Sequence, residues 1–191
     1  MKKFKRRGGV ISTRFSSYEV ELLASLVTQL VDMISDGDPQ EYETDAEPAD
    51  PFALWAKDLA ADPSEPEVSD DPVLQRLFPN PYPHDAAAAS DFRRFTERDL
   101  KTKKIAEAQV VLERLRGTDQ GSVDVRIPAE EVDVWLRTLT SVRLAVATRL
   151  GITDTESAEQ LAELPDEDPR AFMLSVYDWL GFAEETLIGA L

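Results

Sequence analysis

Alternating apolar and polar positions at the start of the chain predict a β-hairpin followed by a helix. Two short alternating segments, residues 3–7 and 10–14, flank the dipeptide Gly8-Gly9, which is typical of a tight two-residue turn. Ser16 and Glu19 then have the spacing of a capping box, in which each side chain bonds the backbone N–H of the other residue. Apolar residues recur at helical spacing over residues 17–35 and predict a core-facing helix; they are Leu23, Leu26, Val27, Leu30, Val31 and Ile34.

Segments poor in apolar residues separate this helix from the elements that follow. Residues 36–50, DGDPQEYETDAEPAD, are acidic and contain proline. Because such a segment buries too little apolar surface to repay its ordering entropy, it predicts a surface loop or a disordered insert. Residues 51–60 begin with proline and predict a short helix. A loop at 62–71 and a second short helix at 72–77 follow.

The nine residues 77–85, LFPNPYPHD, hold three prolines and the only histidine of the chain. Each proline fixes its own φ near −65° and pushes the preceding residue toward extended conformations. The segment therefore predicts a stiff connection. We expect Phe78 and Tyr82 to pack this connection against the core, and Asp85 to cap the helix that follows.

Three longer helices are predicted in the second half of the chain. Residues 85–116 contain no proline and are followed by Gly117, so they predict the longest helix. Pro128 begins a helix that ends near Leu150, before Gly151. A short helical turn at 157–164 leads to a final helix at 169–188.

The alternating segment 122–127, SVDVRI, predicts a strand with Val123, Val125 and Ile127 on its buried side. Two strands alone are barely stable, so we expect this strand to join the hairpin as a third. The chain has no internal repeat and no βαβ alternation. Residues 1–191 therefore predict a single domain, a mainly α helical bundle with a small antiparallel β-sheet.

Composition and charge narrow the classes of function. The net charge of −16 opposes direct binding to nucleic acid and suits a basic protein partner. The basic start MKKFKRR is not followed by an apolar signal region, and no apolar run approaches the roughly 20 residues of a membrane span, so we expect a cytoplasmic protein. With no cysteine, one histidine and no recognised catalytic or phosphate-binding motif, the sequence predicts no catalytic residue, no metal and no cofactor.

Basic residues concentrate shortly after the proline-rich segment. Between residues 93 and 104 they outnumber Glu97 and Asp99; they are Arg93, Arg94, Arg98, Lys101, Lys103 and Lys104. Our candidate partner surface consists of Pro79, Tyr82, His84, Arg93, Arg94, Arg98 and Lys101. Two alternatives stay open for the basic stretch: a solvated helix face, or a site for the acidic insert of the same chain.

Arg143 lies in the middle of the apolar face of the predicted helix 129–150. Because an unpaired charge there would cost about 3–5 kcal/mol, we expect a carboxylate to meet it. Glu184 in the final helix is the preferred partner and Glu185 the second. We interpret the pair as a structural clamp between helices; the alternative is a catalytic or ligand-binding arginine.

In their order and spacing, six segments resemble the actinobacterial AosR-like family, named for an oxidative-stress regulator and long catalogued as a domain of unknown function. They are FKRRGG, YEVELLASLVTQLVDMI, DPVLQRLFPNPY, HDAAAASDFRRFTERDLKTKK, WLRTLTSVRLAVATRLGI and VYDWLGFAEETL. The resemblance spans nearly the whole chain and implies a non-enzymatic regulator that contacts a transcription component such as an alternative sigma factor. The chain departs from the family at Thr140-Ser141, where Asn-Asp is more usual, and without cysteine it has no thiol switch of its own.

The leading hypothesis is therefore a protein that influences transcription in oxidative stress by binding a sigma factor or an RNA polymerase component, with a homodimer left open. One alternative is an adaptor or scaffold for Clp-type proteolysis. The other is an uncharacterised enzyme that uses Arg143 and carboxylates.

Overall fold

The computed structural model describes residues 1–36, 69–165 and 167–191. The predicted helix at 51–60 and nearly all of the predicted loops at 36–50 and 62–71 lie outside the described residues. Of the second loop, residues 69–71 are described, and they form no helix or strand.

A three-stranded antiparallel sheet forms as the alternating segments predict. Its strands are β1 (Lys5–Arg7), β2 (Val10–Thr13) and β3 (Val125–Pro128), in the order β1-β2-β3. Gly8 and Gly9 have φ of 57° and 84°, and this left-handed conformation suits glycine and closes the β1–β2 turn. In the β2–β3 pair, Ile11 lies opposite Ile127, and both side chains are buried.

The prediction that Val123 lies on the buried side of the third strand is wrong. Val123 is 52% exposed and precedes the strand, which begins at Val125. The Val123 N–H bonds the Thr118 carbonyl at 2.9 Å, so this residue belongs to the turn after the long helix. Alternation alone does not show where a turn ends and a strand begins.

Helices make up most of the described chain, and the fold class predicted from the sequence is confirmed. They are α1 (Ser17–Asp36), α2 (Pro72–Leu77), α3 (Ala86–Phe92), α4 (Arg98–Arg116), α5 (Val132–Leu150), α6 (Thr155–Ala162) and α7 (Pro169–Ile188). A 3₁₀ turn, Ala129–Glu131, precedes α5. Gly151 ends α5 with φ of 74°, the left-handed C-cap that its position predicts.

Helix α5 is the centre of the bundle. It contacts α1, α2, α4 and α7, and its Trp135 and Leu139 are fully buried between them. The sheet covers one end of the bundle, where the Phe15 ring lies edge to face with the rings of Phe4 and Trp179, at centroid distances of 6.3 and 6.1 Å. Aromatic contacts of this kind add to the free energy of burial itself.

The long helix predicted over residues 85–116 is divided in two. Asp85 caps α3 by accepting a hydrogen bond from the Ala88 N–H at 3.0 Å, as predicted. A π-helical turn, Arg93–Glu97, then joins α3 to α4. Because a π turn holds one residue more than an α turn, every side chain before it is rotated relative to α4.

In the part of the chain that the structure describes, no helix combines the length and the apolar composition needed to cross a bilayer.

Candidate functional site

A groove of about 400 Å³ lies between the C-terminal end of α2, the proline-rich segment and the π-helical turn. It brings together three residues of the predicted partner surface, Pro79, Arg93 and Lys101. Phe92 and Glu97 line it as well. The groove therefore combines aromatic, basic and acidic side chains within one concave surface.

The proline-rich segment holds one wall of this groove. Phe78 is half-buried against the core, and Lys101 Nζ lies 5.9 Å from the centre of its ring. Asn80 Oδ1 accepts a hydrogen bond from the Tyr82 N–H at 3.0 Å, which fixes a turn between the prolines. This turn carries Tyr82 away from the core.

The prediction that both aromatic residues pack the segment onto the core is correct for Phe78 and wrong for Tyr82. Tyr82 is 46% exposed, and its ring packs edge to face on Phe92 at 6.3 Å. Because Phe92 lines the groove, Tyr82 extends the aromatic surface at the rim of the groove.

In the described part of the chain, Arg93 lacks a hydrogen-bond partner for one of its buried atoms. Its Nε atom is buried and has no hydrogen-bond partner among the described residues. Glu97, one turn further along, is paired with Lys101 at 3.0 Å, and both of these side chains are mostly buried. A buried N–H donor without an acceptor costs free energy, so Arg93 is held by an incomplete set of hydrogen bonds.

The other predicted residues lie outside the groove. Arg94 stacks over the ring of its neighbour Phe95 at 5.3 Å, and Phe95 is 68% exposed. Arg98 and His84 are exposed. The sequence analysis did not predict Phe95 as a surface residue. The feature that could have indicated it is a single large apolar residue within a basic stretch.

The π-helical turn explains why Arg93 takes the place predicted for Arg94. In a regular helix Arg94, seven residues before Lys101, shares the face of that lysine. The extra residue of the π turn moves Arg93 onto this face instead. The predicted stripe of Arg94, Arg98 and Lys101 is therefore broken between Arg94 and Arg98.

Arg143 meets Glu184 across the α5–α7 interface. Arg143 Nη1 lies 3.1 Å from Glu184 Oε2, and Glu184 Oε1 accepts a hydrogen bond from Thr140 Oγ1 at 2.7 Å. The guanidinium also stacks on the Tyr177 ring at 4.4 Å. Glu185 is exposed and takes no part in this pair.

The arginine is not sealed in the core, although its helix position predicts an inward side chain. Its side chain is 35% exposed and faces a cleft of about 440 Å³ between α5, α6 and α7. Glu184 and Asp154 line the same cleft. Arginine and two carboxylates thus share one solvent-accessible surface.

A third cluster of charges lies between α4 and α5. Lys104 Nζ donates to Ser141 Oγ at 2.9 Å, and Arg137 Nε donates to Glu107 Oε1 at 2.8 Å. Burial lowers the pKa of Lys104, with Glu107 opposing this effect and Arg137 adding to it. Ser141 is buried, so this cluster fastens two helices and leaves no reactive hydroxyl accessible.

Within residues 1–36, 69–165 and 167–191, no group of three or more acidic or histidine side chains is placed to hold a metal ion. The groove and the Arg143 cleft thus belong to a small, acidic, mainly α protein. By comparison of families, the chain belongs to the family described as domain of unknown function DUF2017, whose model matches residues 1–191. Neither curated proteins nor solved structures provide a match.

Proposed function

We propose that this protein is a non-enzymatic regulator that binds an acidic segment of a protein partner through a basic–aromatic surface. We use this name for the groove residues Pro79, Phe92, Arg93 and Lys101 together with Tyr82, Arg94 and Phe95. The observation that carries the proposal is Arg93, which lines the groove and whose buried Nε has no acceptor within the described chain.

The chemistry of the surface favours an acidic partner that also carries apolar side chains. Arginine and aromatic residues supply most of the binding energy at protein interfaces. Phe95 is largely exposed and Tyr82 nearly half exposed, so both offer apolar area to a partner. A carboxylate that reaches Arg93 would be desolvated in the groove, where truncating one member of such a pair costs about 2–5 kcal/mol.

The resemblance to a family of oxidative-stress regulators suggests which partner to test first. We propose a transcription component, an alternative sigma factor or an RNA polymerase subunit, as the protein that supplies the acidic segment. The chain would then act in the cytoplasm by occupying a surface of that component.

The experiment is affinity capture from a native lysate followed by titration of the purified partner. Arg93→Gln and Phe95→Ala are the test variants, and Arg116→Gln, an exposed arginine outside the groove, is the matched control. We expect a sigma factor or polymerase subunit to be captured, and the two test variants to weaken its binding by about tenfold or more. Equal binding by all variants would contradict the proposed surface.

A different captured protein would point to a different role. Recovery of a Clp-type protease or its chaperone, without any transcription component, would favour an adaptor or scaffold for proteolysis. Binding that still depends on Arg93 and Phe95 would keep the surface and change only the partner.

An enzyme is a second candidate because Arg143 and two carboxylates face one cleft. Arg143 is engaged by Glu184, and Glu184 is in turn bonded by Thr140, so both groups are held in place. The Thr140 and Thr153 hydroxyls of this cleft donate to Glu184 and Asp154, and each carboxylate also accepts a second hydrogen bond, from Arg143 and from the Ser157 N–H. The geometry therefore favours binding over catalysis there.

A further inference from the structure

The cleft that contains Arg143 shares no lining residue with the groove of the basic–aromatic surface. Its volume of about 440 Å³ lies within the range of roughly 300–1,000 Å³ typical of small-molecule sites. Residues of α2, α5, α6, α7 and the loop between α5 and α6 line it. The cleft can therefore bind a ligand different from the protein partner of the groove.

Two arginines reach this cleft from distant parts of the chain. Arg143 is fixed by Glu184 on one side and by the Tyr177 ring on the other. Arg76, at the end of α2, donates one hydrogen bond from Nη1 to the Ile152 carbonyl at 3.1 Å, which holds its guanidinium at the rim. A guanidinium has five N–H donors, so each arginine retains donors for a bound anion.

Asp154 supplies an acidic group at the same cleft. It caps α6 by accepting a hydrogen bond from the Ser157 N–H at 2.8 Å. Hydrogen bonds from Ser157 hold the pKa of Asp154 below its usual value, so it is ionised near neutral pH. Its position on the exposed loop leaves it accessible to a cation from solvent.

Apolar groups complete the lining. Leu144 and Ala147 of α5, Ile152 of the loop and Ala158 of α6 line the cleft together with the Tyr177 ring. These groups would bury a small aliphatic or aromatic side chain.

We infer that the cleft binds a small zwitterion of the amino-acid class with an apolar side chain. Arg76 and Arg143 receive the carboxylate, Asp154 receives the ammonium group, and the apolar wall receives the side chain. The balance of positive and negative side chains in the cleft favours this class of ligand. A multiply charged anion would meet Asp154 and Glu184, and a simple cation would meet two arginines.

Direct titration of the full chain with three related probes tests this inference. The probes are L-leucine, N-acetyl-L-leucine, which lacks the ammonium group, and L-leucinamide, which lacks the carboxylate. We expect L-leucine, or another apolar amino acid, to bind at about 1 mM or below, and each derivative to bind at least about tenfold more weakly.

Variants assign the two charged contacts. Arg76→Gln is expected to weaken L-leucine binding about tenfold and to leave the weaker binding of L-leucinamide unchanged. Asp154→Asn keeps a side chain that caps helices well, so α6 should persist, and it is expected to weaken L-leucine but not N-acetyl-L-leucine. Arg116→Gln serves as the control, and the melting temperature of each variant confirms folding.

Three results would overturn the inference. The first is that no apolar amino acid binds at about 1 mM. The second is that N-acetyl-L-leucine binds as well as L-leucine, which would show a site for simple carboxylates. The third is that L-leucine binds equally to the Arg76 and Asp154 variants, which would place it elsewhere.

Discussion

At the scale of single residues, the position of Arg143 depends on a glycine. A Cβ atom on Gly181 would lie 3.0 Å from Arg143 Nη2 and 3.1 Å from its Cζ. The guanidinium therefore lies against the backbone of α7, with the Tyr177 ring also in contact. Because Gly181 lies inside a helix, where glycine is about 1 kcal/mol less favourable than alanine, the close approach has a cost in helix stability.

Gly181→Ala should consequently fail to give the stabilisation expected of a helix. We expect no gain, or a net loss, in the free energy of unfolding of the otherwise unchanged protein, because Arg143 must move by a few tenths of an ångström. In an Arg143→Met background the same change should stabilise by about 0.5–1 kcal/mol. Chemical denaturation of the four proteins measures this cycle, and equal effects in both backgrounds would contradict the proposed contact.

Arg143→Met tests whether the arginine is structural. It leaves Glu184 with Thr140 as its remaining side-chain partner, so we expect the free energy of unfolding to fall by about 2 kcal/mol. Binding of a protein partner at the basic–aromatic surface should be unchanged. Thermal unfolding and partner titration measure the two effects, and weaker partner binding with unchanged stability would move Arg143 into the partner surface.

At the scale of elements, Asp71 joins the short helix α2 to the central helix. It accepts a hydrogen bond from the Val73 N–H at 2.8 Å, which caps α2, and it pairs with Arg149 of α5 at 2.6 Å. Burial raises the pKa of Asp71, but the bonds from Val73 and Arg149 outweigh it, and the pKa lies below its usual 3.8. The ionised form therefore stabilises the folded state.

Asp71→Asn should reveal this contribution through its pH dependence. Asparagine retains the cap and loses the charge, so we expect a loss of about 0.5 kcal/mol near neutral pH, since the Arg149 side chain is 56% exposed. A depressed carboxyl pKa stabilises above the usual value and loses that effect as the pH falls below it. The difference between the two proteins should therefore shrink below pH 3.8, and a difference that grows there would contradict the argument.

The helices were predictable because their signals are local. Asp85 and Gly151 mark helix ends by side-chain and backbone conformations that the sequence displays directly. The π-helical turn has no such signal, since its residues, RRFTE, are compatible with an ordinary helix. The sequence therefore predicted that a basic surface follows the prolines, but assigned Arg94 to the face that Arg93 occupies.

At the scale of the whole molecule, only part of the Arg143 cleft could be predicted from the sequence. The pairing of Arg143 with Glu184 follows from helix periodicity and the cost of an unpaired charge. The arrival of Arg76 and Asp154 at the same cleft does not, because it depends on how α2 and α6 pack on the bundle. Sites built from separate elements require the tertiary structure.

The net charge of −16 and the basic–aromatic surface act in opposite directions on an acidic partner. The net charge repels over long distances, whereas Arg93 and its neighbours attract only at contact. Salt screens the long-range repulsion first, so we expect the association rate to rise between about 10 and 100 mM salt and to fall above that range. Stopped-flow measurement tests this, and a rate that falls steadily from the lowest salt would show that the net charge does not govern the approach.

The three-stranded sheet joins two distant parts of the chain. Arg14 and Asp124, which pair beside the sheet at 2.5 Å, are 110 residues apart. The hydrogen bonds within each helix, by contrast, join residues close in sequence. Pairing over such separations is slow because the intervening loop must close first. During synthesis the hairpin of β1 and β2 leaves the ribosome long before its third strand. For that interval a hairpin formed early exposes the edge of β2 that β3 later covers, and this edge can pair with other chains.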